Sequence, residues 1–205
     1  SGIKLETSAP TARGVYNAIK TTHNFLTNKD IKNSVVAISG IGKVGSKLAK
    51  ILFEKKIKLI VSNIGIDAFD QLKKNNISFI ESNIDSIYEE NCDIISPCAL
   101  GGAINSKNKG KLKCKAIVGA ANNQLDSTET AEWLKRNNIL YLPDYLVNSG
   151  GVIAISCEIN NSENTLNEKL NEIGKKVLSL LKESQNSSLS TNKIAEELAW
   201  KRINS

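Results

Sequence analysis

The chain has 205 residues, with 27 Lys+Arg against 21 Asp+Glu for a formal net charge of +6. Hydrophobic residues make up 40% and charged residues 23%, with 13 Gly and 3 Pro, which provides for a substantial apolar core and excludes a collagen-like, low-complexity or wholly disordered chain. No apolar run reaches the ~18 residues a membrane-spanning helix needs, and Lys4 and Glu6 interrupt the first residues before a signal-peptide core can form.

In chain order, Pro10 to Leu26 reads as a helix with proline near its first turn. Residues 34–39 (Ser-Val-Val-Ala-Ile-Ser) form a short apolar run suited to a strand buried on both faces. Gly40-Ile41-Gly42-Lys43-Val44-Gly45 follows, then a helical pattern through Leu48, Ile51 and Leu52. Further strands are expected at Lys58–Ser62, Ile77–Ile80, Asp93–Ser96, Lys115–Gly119 and Leu140–Leu142, with helices at Ala68–Asn75 and Thr128–Asn137. Strands alternating with helices at this pitch predict an α/β fold, a Rossmann-type, doubly wound, mainly parallel sheet covered on both faces. Beyond Gly150-Gly151 the texture becomes helical: Val152 to Ile159, a polar break from Asn160 to Thr165, an amphipathic Leu166 to Leu181, and a last helix from Thr191 to about Trp200. This tail is too polar to stand alone, so it is expected to pack on the sheet domain and on something further.

The loop Gly40-x-Gly42-x-x-Gly45 lies directly between a buried strand and a helix. In that context the first glycine permits a tight turn, the second lets the backbone approach a diphosphate, and the third lets helix and strand pack closely. The helix N-terminus then offers unpaired N–H groups and a partial positive charge. About 20 residues on, where a carboxylate is expected to grip the adenosine ribose, stands Asn63. Asparagine still hydrogen-bonds a ribose and does not repel a 2′-phosphate; Lys43 or Lys58 are candidates to assist one. The expected cofactor is therefore NAD, with NADP open because of Asn63.

Five ordered segments then become recognisable: Thr11-Ala12-Arg13-Gly14-Val15-Tyr16, the glycine loop, Pro97-Cys98-Ala99-Leu100-Gly101, Ala120-Ala121-Asn122-Asn123-Gln124-Leu125, and Pro143-Asp144-Tyr145-Leu146-Val147-Asn148-Ser149-Gly150-Gly151-Val152. Together they resemble the Glu/Leu/Phe/Val dehydrogenase family, with wording nearest its leucine and phenylalanine branch. The resemblance implies that Thr11 bonds the nicotinamide carboxamide, that Gly42, Lys43 and Val44 form the diphosphate turn with Gly40 and Gly45, and that Asn63 takes the ribose position. It implies further that Cys98 and Ala99 pass under the adenosine ribose, that Asn122 and Asn123 stand near the nicotinamide ribose, and that Asn148 lies where nicotinamide meets substrate. Val152 and Ile155 match positions lining the substrate side-chain pocket. On the residues alone, Asn122-Asn123 equally make a turn, Cys98 a small packing hydrophobe, and Val152 and Ile155 core residues.

The family's activity is reversible NAD(P)-dependent oxidative deamination of an L-amino acid, here an apolar one, to a 2-oxo acid and ammonia. Its two lysines and its aspartate belong to an N-terminal domain, so no catalytic residue is expected in this chain. The absence of Met and the start at Ser1 suggest a piece of a longer protein. The expected division is a linker over 1–9, a dinucleotide-binding domain over 10–151 and a helical tail over 152–205. Family members oligomerise mainly through the other domain, so the full-length protein is expected to be a homo-oligomer. A catalytically silent dinucleotide-binding module is the alternative.

The charge pattern adds little to this. The densest basic run (Lys43, Lys47, Lys50, Lys55, Lys56, Lys58) lacks interleaved aromatics and reads as a solvated helix face rather than a nucleic-acid patch. Cys92, Cys98, Cys114 and Cys157 show no C-x-x-C spacing, and His23 has no partner for a zinc site. No metal is expected, and the setting expected from the reduced cysteines is cytoplasmic.

Overall fold

A computed structural model describes residues 6–204. In chain order it contains α1 (Ser8–Thr27), β1 (Val35–Ser39), α2 (Lys43–Glu54), β2 (Lys58–Ser62), α3 (Asp67–Lys74), β3 (Ile80–Glu81), β4 (Ile94–Pro97), β5 (Ala116–Ile117), α4 (Thr128–Arg136), β6 (Leu140–Tyr141), α5 (Asp144–Val147), α6 (Gly150–Ile159), α7 (Leu166–Gln185) and α8 (Thr191–Ile203). The strands form one sheet in the order β3-β2-β1-β4-β5-β6, every pair parallel. From β1 the chain winds outward through β2 and β3, then returns to β4 on the other side of β1 and winds the opposite way. This is the Rossmann order, and its switch point lies between β1 and β4, where a crevice opens beyond the strands' carboxyl ends.

The side-chain alternation of the strands sorts the core into two layers. Val36, Ile38, Leu59, Val61, Ile94, Ala116 and Val118 join the helical layer built by α1, α2 and α7. Their neighbours Ala37, Ile60, Ile95 and Ile117 pack with Leu134 of α4, Tyr88 and Tyr141 on the opposite face. With both faces covered, the central strands β1, β2 and β4 read as continuous apolar runs, which is why they were legible in sequence.

Helix α1 ends where Asn28 takes a left-handed φ of 53° and donates its N–H to Asn24 O. Its long partner is α7, whose Leu170, Ile173, Val177, Leu180 and Leu181 are all buried. Burial of each such side chain contributes about 1.5–3 kcal/mol before the entropy of ordering is counted, so the amphipathic tail is bound to the domain through this stripe. Asn17 Nδ2 donates to Leu170 O at 2.9 Å across the same seam. The stripe is covered along α7, whereas on α8 Trp200 and Ile203 are 64% and 73% exposed.

Three local differences from the sequence reading have physical causes. The third strand is Ile80–Glu81 rather than Ile77–Ile80. Asn76 adopts φ 55°, and the Ile77 N–H returns to Leu72 O at 3.1 Å, so Ile77 closes the end of α3 and is buried beneath it. Helix α6 starts at Gly150, two residues before Val152. Of the expected linker 1–9, residues 1–5 lie outside the described residues, while Ser8 and Ala9 already belong to α1.

Candidate functional site

Most site residues come from loops at the carboxyl ends of five strands, and the rest from α1 and the starts of α2 and α6. After β1, Gly40 takes φ +101°, a conformation that side-chain-bearing residues rarely adopt. Its N–H bonds Ser62 O at 2.8 Å, tying the turn to the tip of β2. A Cβ on Gly40 would lie 2.5 Å from the Cβ of Ala99, and one on Gly45 would lie 2.0 Å from Gly40 O and 3.3 Å from the Cβ of Cys98. Turn and β4 loop are therefore in direct contact, and two glycines are needed to let them meet.

Gly42 is different. It is the residue preceding α2, its φ is −78°, and a Cβ there would meet nothing within 4 Å. Among the described residues no side chain caps α2, so the first-turn amides at Lys43, Val44 and Gly45 are left for another acceptor. With the helix dipole placing about half a positive charge there, an open glycine directly before it makes a cradle for an anion.

Asn63 braces this turn. Its Oδ1 accepts the Ile41 N–H at 2.9 Å, and its Nδ2 donates to Gly65 O at 2.9 Å. Of the two lysines that the sequence offered for a 2′-phosphate, one is placed elsewhere. Lys58 opens β2 opposite Val35, about 16 Å of strand away from Asn63. Lys43 adds to the attraction on Glu6, whose carboxyl is held below its usual range first by its hydrogen bond to Lys47 and then by Ser8. Lys58 departs from expectation because strand polarity, not sequence distance, sets which end a lysine reaches, whereas Lys43 stands exposed at the first position of α2, beside the cradle.

Beyond β4 and β5 a second cluster forms. Asn148 Nδ2 donates to Ala120 O at 3.1 Å and to Asn122 Oδ1 at 2.6 Å, leaving its own Oδ1 as an acceptor. Asn123 takes φ 51°, the left-handed turn geometry asparagine tolerates. Its N–H bonds Asp144 Oδ2 at 2.5 Å and its carbonyl accepts the Gly102 N–H at 2.7 Å. Cys98 lies beneath both clusters; burial pushes its thiol pKa up against hydrogen bonds from Ala120 and Ser96, so it packs as a neutral thiol.

Thr11 and the start of α6 form the third part. Thr11 Oγ1 donates to Thr7 O at 2.9 Å and sits 2.9 Å from where a Gly151 Cβ would be. On α6, Val152 is 71% exposed and Ile155 half-buried, so the α/β core leaves that face open, and Ile159 (66% exposed) extends the stripe by one turn. A crevice of about 380 Å³ beside the turn is lined by Ser39, Ile64, Tyr88, Ala99 and Leu100 among others; there the Tyr88 hydroxyl donates to Ser39 Oγ at 2.9 Å.

The sequence residues Gly40, Gly42, Gly45, Asn63, Cys98 and Ala99 thus converge at the switch point. Asn122, Asn123 and Asn148 converge on the β5 side, with Thr11 and Val152 at the flank. Two supporting residues had no assigned role: Asp144 and Gln124, whose buried Nε2 donates to Gly119 O and Ala121 O, both at 2.9 Å. Both stand inside segments already singled out, but their partners are fixed only by folding. Asp144→Ala is expected to free the 120–125 loop while leaving the glycine turn intact. The Asn123 and Gly102 amides should then exchange with solvent about tenfold faster, reflecting about 1–1.5 kcal/mol for the lost charge-assisted bond. Unchanged exchange at both amides contradicts this role.

Residues 60–204 match the model of the glutamate/leucine/phenylalanine/valine dehydrogenase family. The chain belongs to that family. It is 36% identical over 207 residues to phenylalanine dehydrogenase of Thermoactinomyces intermedius, covering 98% of this chain and 56% of that protein. It is 35% identical over 199 residues to leucine dehydrogenase of Bacillus subtilis, covering 96% of this chain and 54% of the relative. Among solved structures, L-tryptophan dehydrogenase from Nostoc punctiforme superposes with a TM-score of 0.93 at 30% identity, over 98% of this chain and 62% of that one. The chain spans about half the length of the curated relatives it matches. Among the described residues, no cluster of His, Cys, Asp or Glu is arranged to hold a metal ion and no helix is long and apolar enough to cross a membrane.

Proposed function

We propose that this chain is the dinucleotide-binding half of an amino-acid dehydrogenase, which carries out reversible NAD(P)-dependent oxidative deamination of an apolar L-amino acid to a 2-oxo acid and ammonia. The observation that carries the reading is the uncapped start of α2 at the switch point, with open space where a Gly42 side chain would stand. A diphosphate fits that cradle: its oxygens meet the amides at Lys43, Val44 and Gly45, and glycine leaves room for close approach. The names of the phenylalanine, leucine and tryptophan dehydrogenases that the chain resembles support the substrate class.

When bound, a nicotinamide dinucleotide supplies the hydride acceptor. The chain's own residues position and shield. The amides of the α2 turn hold the diphosphate, and Ile64, Ala99 and Leu100 flank the adenine crevice. Thr11 and the free Oδ1 of Asn148 hold the carboxamide end at the α1–α6 corner. Asn122 reaches that corner through its bond to Asn148. Val152 and Ile155 form an apolar wall for the substrate side chain; one methylene against such a wall discriminates by about 1–3 kcal/mol. The groups that take and return protons are proposed to come from an N-terminal domain outside this chain, with the whole protein assembling as a homo-oligomer.

Calorimetric titration of the 205-residue chain tests the binding half: a saturable signal with NAD or NADP is expected, and none with either overturns the reading. Extending the chain at its N-terminus with its own coding sequence tests the activity. NADH or NADPH should form with leucine, valine or phenylalanine. Binding without turnover on any amino acid replaces the enzyme with a silent binding module.

A further inference from the structure

Asn63 stands where a carboxylate would exclude a 2′-phosphate, so on the dinucleotide reading this chain must discriminate by other means or not at all. Both ends of the Asn63 amide are already engaged, with Ile41 and with Gly65; it braces the turn. Beside it opens a crevice of about 520 Å³ whose polar lining is Asn63, Glu81, Ser82, Asn83, Ser86 and Glu90. Among the described residues, no lysine or arginine lines it. Strand pairing sets Glu81 beside Val61, and the Ser82 N–H bonds Val61 O at 2.9 Å, so this crevice lies at the tips of β2 and β3, on the side where the adenosine ribose of a dinucleotide would face.

The two carboxylates differ in compensation. Glu81 is neutralised by Lys73 at 2.7 Å. Glu90 accepts a hydrogen bond from Ser82 Oγ at 2.7 Å, itself 3.4 Å from Ser86 Oγ, and no ion pair to Glu90 is present among the described residues. Hydroxyls fix its direction without cancelling its charge.

We propose that Glu90, held by Ser82, makes this chain select NAD over NADP, performing from the β3–β4 connection the exclusion that a carboxylate at the tip of β2 would otherwise provide. The inference rests on the dinucleotide reading. A 2′-phosphate carries about two negative charges near neutral pH, and one uncompensated carboxylate in the same crevice weakens its binding by about tenfold at moderate ionic strength. The Ser82 hydroxyl, spent as a donor on Glu90, is not free to donate to a phosphate.

Calorimetric titration of the 205-residue chain and of its E90Q and E81Q variants with NAD and NADP decides the matter. The unmodified chain is expected to bind NAD about tenfold more tightly than NADP. E90Q keeps the bond from Ser82 and its NAD affinity, while its NADP affinity rises by about five- to tenfold. E81Q, losing a charge that Lys73 already balances, moves the ratio less. Salt provides a test that needs no variant: screening relieves repulsion, so the NAD-to-NADP affinity ratio must fall as ionic strength rises. Equal affinity for the two nucleotides, a ratio independent of salt, or an E90Q ratio matching the unmodified chain overturns the proposal. Binding of neither nucleotide refutes the dinucleotide reading itself, and this inference with it.

Discussion

Replacing Gly42 with alanine is expected to leave the fold standing and remove dinucleotide binding, whereas the same replacement at Gly45 is expected to damage the fold itself. The two glycines are three residues apart in one loop, yet their surroundings are opposite. At Gly42 the backbone is extended and nothing lies within 4 Å of an added Cβ, so alanine costs little there, within about 1 kcal/mol either way. That open volume is the space a diphosphate needs, and a methyl group in it should weaken NAD binding by more than tenfold, about 1.4 kcal/mol or more. At Gly45 the added carbon would lie 2.0 Å from the backbone oxygen of Gly40. That atom cannot rotate away, because its turn is fixed by the Gly40–Ser62 hydrogen bond and by contact with Ala99. A cost of about 3 kcal/mol lowers the melting temperature by about 6–12 °C for a domain of this size. Thermal melts separate the two variants, and titration of G42A with NAD completes the comparison. G42A binding NAD as well as the unmodified chain would mean that the diphosphate does not cross this turn.

Much of this site was legible because its chemistry is local in sequence. Gly40, Gly42 and Gly45 belong to one turn, and the strand before it and helix after it announce themselves by apolar run and helical period. Strand β2 falls where its residues predict, at Lys58–Ser62, because burial on both faces leaves few polar positions to confuse its limits. Legibility failed where a role depends on a partner far along the chain. Asp144 holds the amide of Asn123, 21 residues earlier, and no period or spacing encodes that pairing. Asn63 could be placed at the tip of a strand from sequence, but not the use of its amide on Ile41 and Gly65. Ile77 looked like strand because it is apolar and follows a polar break; the left-handed Asn76 turns it back under α3 instead. Lys58 was near the site in number and at the wrong end of the strand in space. The exposed Val152 shows the converse case, since an apolar residue on a helix is core by default and only the fold reveals that its face is left open.

The start of α6 carries the second large prediction. A Cβ on Gly150 would lie 2.2 Å from Pro10 O, 2.7 Å from Pro10 C and 3.0 Å from Thr11 Cα. All three are backbone atoms of the first turns of α1, a helix whose other face is locked against α7 by the buried Ile173 and Val177. Gly150→Ala must therefore push the α1 and α6 N-termini apart, at a cost of about 2–4 kcal/mol. Urea unfolding should show a lower midpoint with an unchanged slope. The displacement falls on Thr11 and on the segment that carries Asn148, but not on the turn at Gly42, which is built from β1, α2 and the β4 loop. The binding defect should therefore depend on the ligand. In the folded variant, NAD affinity falls by about tenfold or more, because the nicotinamide end loses its anchors, while ADP, which ends at the diphosphate, binds as before. An equal loss for NAD and ADP would show that the two ends of the site are not mechanically separate. Unaltered NAD affinity would show that the α1–α6 corner holds no part of the ligand, leaving Thr11 and Asn148 as purely structural residues.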